Sequence, residues 1–200
     1  MKKNISKDSP KVLGLDISTK TIGVALFDVG SKQLLELTHI SPKPKIEGDN
    51  KMLELMKKSE VTREKLMSYV GLNVQKVIIE EPLLNSNNVY TVGTLIRYNT
   101  LVCKEVYDVL GIVPEFISTY NARKFAFPFL VEQNLKGKFV LFGGFNKDID
   151  KKVIIWEQVA KREPQITWLY TKNNTLKKEN YDQSDAYTAV LGYMKMEKIW

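Results

Sequence analysis

The sequence predicts one α/β domain of 200 residues, a mixed five-stranded sheet with three antiparallel strands, then parallel ones, flanked by helices. Three observations predict it. Short apolar runs open the chain and are joined by links too short for anything but hairpins. Beyond them, strand-length and helix-length patterns alternate, as in parallel α/β units. The chain then closes on helical apolar spacing.

Taken in order, Lys11 to Asp16 (KVLGLD) reads as a strand covered on both faces, because its apolar run barely alternates. Ile17-Ser18-Thr19-Lys20 links it to a second strand, Thr21 to Asp28, in which Gly23 marks a close approach. Val29 to Lys32 is a turn, and Gln33 to Ile40 completes a meander. Asn50 to Val70 carries Met52, Met56, Leu66 and Val70 at helical spacing, with Gly71 as its stop. Gln75 to Glu80 is a buried strand closed by Pro82. A long helix runs from Val89 to Leu110 and ends at Gly111. Ile112 to Ser118 reads as the fifth strand, and Asn121 to Asn146 as an irregular loop with one helical turn. Lys147 to Arg162 and Asp182 to Met196 are predicted helices. Right-handed crossovers place the fourth and fifth strands parallel to the first. One domain is expected over residues 1–200, with 1–10 flexible and 134–146 a loop insertion.

Composition narrows the function classes. Hydrophobic residues make up 44% of the chain and aromatics 10%, enough to bury a core and to exclude global disorder. Lys and Arg number 30 against 23 Asp and Glu, a net charge of +7 that favours a polyanionic partner, nucleic acid first. The single cysteine, Cys103, excludes an internal disulfide, and no Cys/His cluster exists for zinc. Met1 to Asn4 precedes no apolar run of signal-peptide type, and no stretch suits a membrane span. A cytoplasmic compartment, or a host cytoplasm for a viral protein, is the expectation.

The acids carry the chemistry. Asp16 and Glu80 each close an apolar strand, where an ionised carboxylate is costly unless it pairs or binds a cation. Adjacent parallel strands would put both at one rim of the sheet, where α/β ligands usually bind. Asp182 and Asp185, three residues apart, share one face of the last helix. Each has a purely structural reading alone: Asp16 as a strand end, Glu80-Glu81-Pro82 as a loop entry, Asp182 as an N-cap with Asp185 at N3. Together they repel and call for a divalent cation, and oxygen-only ligands suit Mg²⁺ or Mn²⁺. Two such ions about 4 Å apart would serve in-line displacement at phosphorus. His39, the one histidine, is expected away from this rim, as a surface or core residue.

At these residues the chain resembles the RuvC-type Holliday junction resolvases of the RNase H-like superfamily. Leu13 to Gly23 (LGLDISTKTIG) is similar to their first strand and turn. Val77 to Pro82 (VIIEEP) is similar to their fourth strand and marks Glu80 rather than Glu81 as the ligand. Tyr181 to Ala186 (YDQSDA) resembles their Asp-x-x-Asp-Ala helix, and Ile117 to Lys124 the segment before their DNA-facing loop. The likeness spans Val12 to about Tyr193 and implies a viral or bacterial source. It implies an RNase H-like fold, and catalytic, metal-binding Asp16, Glu80, Asp182 and Asp185 with two Mg²⁺ per site. It also implies a homodimer that nicks two strands of a four-way junction symmetrically, the Val89–Leu110 helix contributing to its interface.

Some residues depart from the pattern. Ile17-Ser18 stands where relatives often carry Pro-Gly, and Leu83 where some carry an aromatic that opens the junction. No histidine lies near the last aspartate, so water activation falls to the metals or to a nearby lysine. The Asn134–Asn146 insert is long and apolar.

Candidate DNA contacts are Lys20, Arg123, Lys124, Lys136 and Lys138, interleaved with Phe125, Phe127 and Phe139. Alternation of Phe125, Phe127 and Phe129 also fits a short half-buried strand. The pairs Lys151-Lys152 and Lys177-Lys178 are read as general field only. Rival readings are a flap, branched-DNA or RNA:DNA hybrid nuclease on the same fold, a non-catalytic DNA-binding relative, and a sugar-kinase or actin-like ATPase. The last needs a second domain that 200 residues do not accommodate.

Overall fold

The computed structural model describes residues 8–46, 48–82, 88–134, 136, 139–142 and 149–200. Its main sheet has the strand order β3-β2-β1-β4-β5. Strands β1 (Lys11–Ile17), β2 (Ile22–Asp28) and β3 (Gln33–Ile40) form the antiparallel meander. Strand β4 (Val74–Glu80) pairs parallel to β1, and β5 (Glu115–Ile117) pairs parallel to β4. This is the RNase H-like mixed sheet that the sequence predicts.

Helices α1 (Lys51–Met67) and α2 (Val89–Leu110) cover one face, burying Leu13, Leu15, Val24, Val77 and Ile79 against Leu66, Tyr98, Val102 and Val106. Both begin at an asparagine whose side chain accepts a backbone N–H, Asn50 from Leu53 and Asn88 from Thr91. Gly111 stops α2 in the left-handed conformation at φ 69°. The opposite face is covered by α5 (Glu179–Met196), backed by α3 (Thr119–Ala126) and α4 (Lys151–Arg162).

Helix α5 is buried on every side from Gln183 to Met194, which is why its sequence shows no amphipathic stripe. Its polar residues turn inward on their own backbone: Ser184 donates to Asn180 O and Thr188 to Ser184 O. Two glycines let it lie tight on the sheet. A Cβ on Gly14 would stand 2.2 Å from Val190 Cγ2, and one on Gly23 would stand 1.9 Å from Asp182 O.

Several boundaries differ from the sequence expectation. The stretch from Asn121, expected as an irregular loop, holds the ordered helix α3, a 3-10 turn at Pro128–Leu130 and the hairpin of β6 (Val131–Gln133) and β7 (Phe139–Leu141). Ser118 is the reason: it leaves the strand and caps α3, accepting from Asn121 N at 3.3 Å. The alternating phenylalanines therefore belong to no strand; Phe125 lies on α3, buried Phe127 ends it, and Phe129 stands 63% exposed in the 3-10 turn.

Helix α5 starts three residues before Asp182, so Asp182 is not its N-cap. Asn180 fixes this earlier start by exchanging two hydrogen bonds with the Leu169 backbone. Asp8 to Pro10 hydrogen-bond to the fold: Asn73 donates to Asp8 O, Val29 N to Pro10 O, and Ser9 Oγ to Asp28. Leu83, Lys138 and most of the predicted insertion lie outside the described residues.

Candidate active site

The sheet register brings the first two acids together. Leu15 and Ile79 are partners across the parallel β1–β4 pair, and Asp16 and Glu80 are the next residue on each strand. They therefore stand about one strand spacing apart, roughly 4.8 Å in the backbone. Glu80 also pairs with Ile117 of β5, so the chain leaves β5 at Ser118 and enters α3 right beside it. The Thr119 hydroxyl consequently donates to Glu80 Oε1 at 2.6 Å. The second oxygen, Oε2, is buried and has no hydrogen-bond partner, the one such carboxylate oxygen among the described residues. Glu81 faces out and is exposed.

Helix α5 supplies the other two acids. Its first turn crosses over Gly23, the residue paired with Asp16 across β1–β2. Absence of a side chain at Gly23 is what lets Asp182 and Asp185 descend to the rim.

Two cations meet them there. Arg123 of α3 donates from Nη2 to Asp185 Oδ1 at 3.3 Å. Lys152 of α4 stands 3.3 Å from Asp185 Oδ2 and 3.7 Å from Asp182 Oδ1.

The electrostatics are those of crowded like charges. Burial, then Glu80, Asp185 and Asp182, push the Asp16 carboxyl well above the usual range. Burial and Asp185 raise Glu80 to about 7, against the pull of the Thr119 hydroxyl, Arg123 and Lys152. Burial raises Asp182 to about 6, with Lys152 opposing and Asp185 and Glu179 adding to it. Lys152 loses to burial but gains more from Asp185, Asp16 and Asp182, so its ammonium is held above the ordinary value.

Among the described residues no three His, Cys, Asp or Glu side chains already form a closed metal-ligand group. In this arrangement Arg123 and Lys152 engage both Asp185 oxygens. The donor set nonetheless fits a hard divalent cation: four carboxylates, three of them with raised pKa, and an unpartnered buried oxygen on Glu80.

The predicted DNA contacts fall in different places. Arg123 does not reach outward; its side chain is 12% exposed, turned onto Asp185. Lys20 is exposed in the turn after Asp16, a turn closed by Ser18, which accepts from Thr21 N and donates to Thr21 O. Lys124 is half-buried beside the Tyr120 and Phe125 rings. Lys136 is exposed on the link between β6 and β7, and Lys138 lies outside the described residues.

Sequence reasoning missed three residues. Lys152 reads as general field in the sequence, although it shares a helical stripe with buried Ile155 and Val159. Thr119 is hidden in the sequence because Ser118 reads as the end of the fifth strand, whereas the strand ends at Ile117 and Thr119 opens α3. His39, expected away from the rim, lies on the Asp16 row: Asp16 pairs with Gly23 and Gly23 with His39. Its Nδ1 is 2.9 Å from Gln183 Nε2, one residue beyond Asp182. Strand pairing overturns that expectation, because β3 runs parallel to β1 two strands away and ends at the same rim.

Neither family models nor curated protein sequences match the chain. Solved structures do. RuvC of Thermus thermophilus bound to a Holliday junction substrate superposes with a TM-score of 0.59 at 10% identity, over 93% of this chain and 95% of that one. A second T. thermophilus RuvC structure gives 0.55 at 13% identity, covering 94% and 96%. The yeast mitochondrial Holliday junction resolvase Ydc2 gives 0.61 at 10% identity, covering 94% and 79%. At such identities the likeness is one of fold, and the fold it establishes is the RNase H-like arrangement seen in RuvC and Ydc2.

Proposed function

We propose that this chain is a divalent-metal-dependent endonuclease that resolves four-way DNA junctions by paired symmetric nicks. One observation carries the reading: Asp16, Glu80, Asp182 and Asp185 converge on one rim of a RuvC-like sheet, where burial and the neighbouring acids raise the pKa of Asp16, Glu80 and Asp182. Structural roles do not account for such a cluster, since buried like charges cost stability unless a cation joins them.

Asp16, Glu80, Asp182 and Asp185 would hold two Mg²⁺ or Mn²⁺ ions. Such ions would supply Lewis-acid chemistry, lowering the pKa of a water and offsetting charge on the leaving 3′ oxygen. The protein's own share is positional. Thr119 orients Glu80 through Oε1 and leaves Oε2 to face the cluster. Gly23 sets the depth of Asp182 and Asp185. Arg123 holds Asp185 from the α3 side. Lys152, with a side chain 45% exposed, balances the acids from the solvent side and is placed to meet a phosphate. It is a lysine near the last aspartates, but the acids hold it as an ammonium, so water activation falls to the metals.

Lys20, Lys124 and Lys136 would hold the DNA backbone without reading sequence. A homodimer would present two sites to two equivalent strands. The outer face of α2, with Val89, Tyr90, Ile96 and Tyr107 exposed, supports that interface.

The test is incubation with Mg²⁺ and a mobile synthetic four-way junction, beside duplex, flap and RNA:DNA hybrid controls, with Asp182→Asn in parallel. Symmetric nicks on the junction, lost in the variant and in chelator, are expected. Equal cutting of flaps or hybrids would move the function to a broader nuclease. Tight junction binding without cutting would remove the catalytic claim.

A further inference from the structure

Arg123 and Lys124 are successive residues of α3, about 100° apart around the helix, and they serve different surfaces. Arg123 turns in to Asp185. Lys124 turns to a cavity of about 320 Å³ that it lines with Phe125, Pro128 and Val131. That volume is near the lower end for ligand sites, about 300–1,000 Å³, and by liquid volume equals roughly ten waters. It suits one nucleobase rather than a base pair.

We propose that this cavity is a nucleotide pocket, which takes one unpaired base of the bound strand against Phe125 with the adjoining phosphate on Lys124. The inference rests on the nuclease reading above and adds a subsite to it. Chemistry selects the occupant. The walls are an aromatic ring, a proline and a valine, so they match a flat, uncharged, aromatic group. Among the described lining residues the one charged group is the Lys124 ammonium, 5.4 Å from the Phe125 ring centroid and 5.9 Å from that of Tyr120. A flat aromatic attached to an anion satisfies both features, and a nucleotide is that combination. A base inside a duplex has both faces stacked and cannot enter; an unpaired base beside a strand crossover can. Lys124 also follows directly on Arg123, the residue of α3 that grips Asp185, so the pocket is built on the same helix that borders the acidic rim.

Binding is measured without divalent metal, so cleavage plays no part. Fluorescence anisotropy follows a labelled short oligothymidylate and a matched duplex, with wild type, Phe125→Leu and Phe125→Trp. Loss of one stacked base predicts an affinity lower by about fivefold to a hundredfold for Phe125→Leu on the oligothymidylate. Duplex affinity is expected to be unchanged, and Phe125→Trp to keep the wild-type affinity for both.

Equal loss on single strand and duplex would make Phe125 a folding residue and overturn the pocket. So would oligothymidylate binding that ignores the leucine substitution, even in a protein that cuts junctions normally. A protein that cuts nothing yet binds oligothymidylate through Phe125 would keep the pocket and lose the resolvase reading. Thymidine monophosphate separates a strand-borne base from a free nucleotide. Failure to displace the oligomer supports the strand, while displacement at oligomer-like concentration overturns it.

Discussion

Glu80→Gln is expected to stabilise the metal-free protein at alkaline pH while abolishing cleavage. Burial and the neighbouring Asp185 hold the Glu80 carboxyl at about 7, against 4.5 for a free glutamate. The folded protein therefore binds this proton more tightly than the unfolded chain. Its contribution is fully present below pH 4.5 and is lost as pH rises through about 7. Above that, the ionised carboxylate leaves a standing penalty of about 3 kcal/mol relative to a group that never ionises. Asp16, raised in the same direction, adds to the trend in the wild type. Glutamine keeps an oxygen to accept from Thr119 and carries no charge. For a chain of this length, about 3 kcal/mol is roughly 6–12 °C in Tm. Thermal melts in chelator from about pH 5 to about pH 8.5 read the effect, which grows with pH along the linkage slope. Added Mg²⁺ should reverse the ranking, because only the wild type gains binding energy. Melting temperatures that run parallel across the whole range would refute the reasoning, as would a variant less stable at the alkaline end.

Other consequences follow from single contacts. Gly23→Ala puts a Cβ 1.9 Å from Asp182 O; it should cost about 3 kcal/mol by urea denaturation and abolish junction cleavage while far-UV circular dichroism stays native. Thr119→Val removes the bond to Glu80 Oε1 and should cost about 1 kcal/mol. It should also move the Glu80 midpoint, followed by carboxylate NMR titration, upward from about 7. Lys152→Met removes a half-exposed cation from Asp182 and Asp185, so the loss of metal-free stability at pH 8 should be about 1 kcal/mol and should shrink in high salt.

The strands, the long helices and the four acids were legible because each rests on a local pattern. An apolar run ending in Asp16 or Glu80 states both its strand and its anomaly in a few residues, and Asp182-x-x-Asp185 needs only helical spacing to share a face. The elements after β5 were less legible. Ser118 can extend a strand or cap a helix, and which it does depends on the packing of α3 against α5, where Gly192 approaches the Ala122 backbone. Helix α5 shows no stripe because every face of it is covered, so its start could be read only from Asn180 and its bonds to Leu169.

What the sequence by itself determined is the fold class, the order of the five main strands and which acids stand at strand ends and on the last helix, since apolar period and strand-end charge are properties of short windows. What only the tertiary structure decided is the company those acids keep. Lys152 looks like any surface lysine until α4 docks beside α5, and His39 like a remote residue until the register of β1, β2 and β3 puts it on the Asp16 row. Arg123 reads as a DNA contact until α3 turns it onto Asp185. The reason is physical: long-range Coulomb partners and hydrogen bonds depend on how separate elements dock, and docking is set by the summed packing of surfaces that no local window contains.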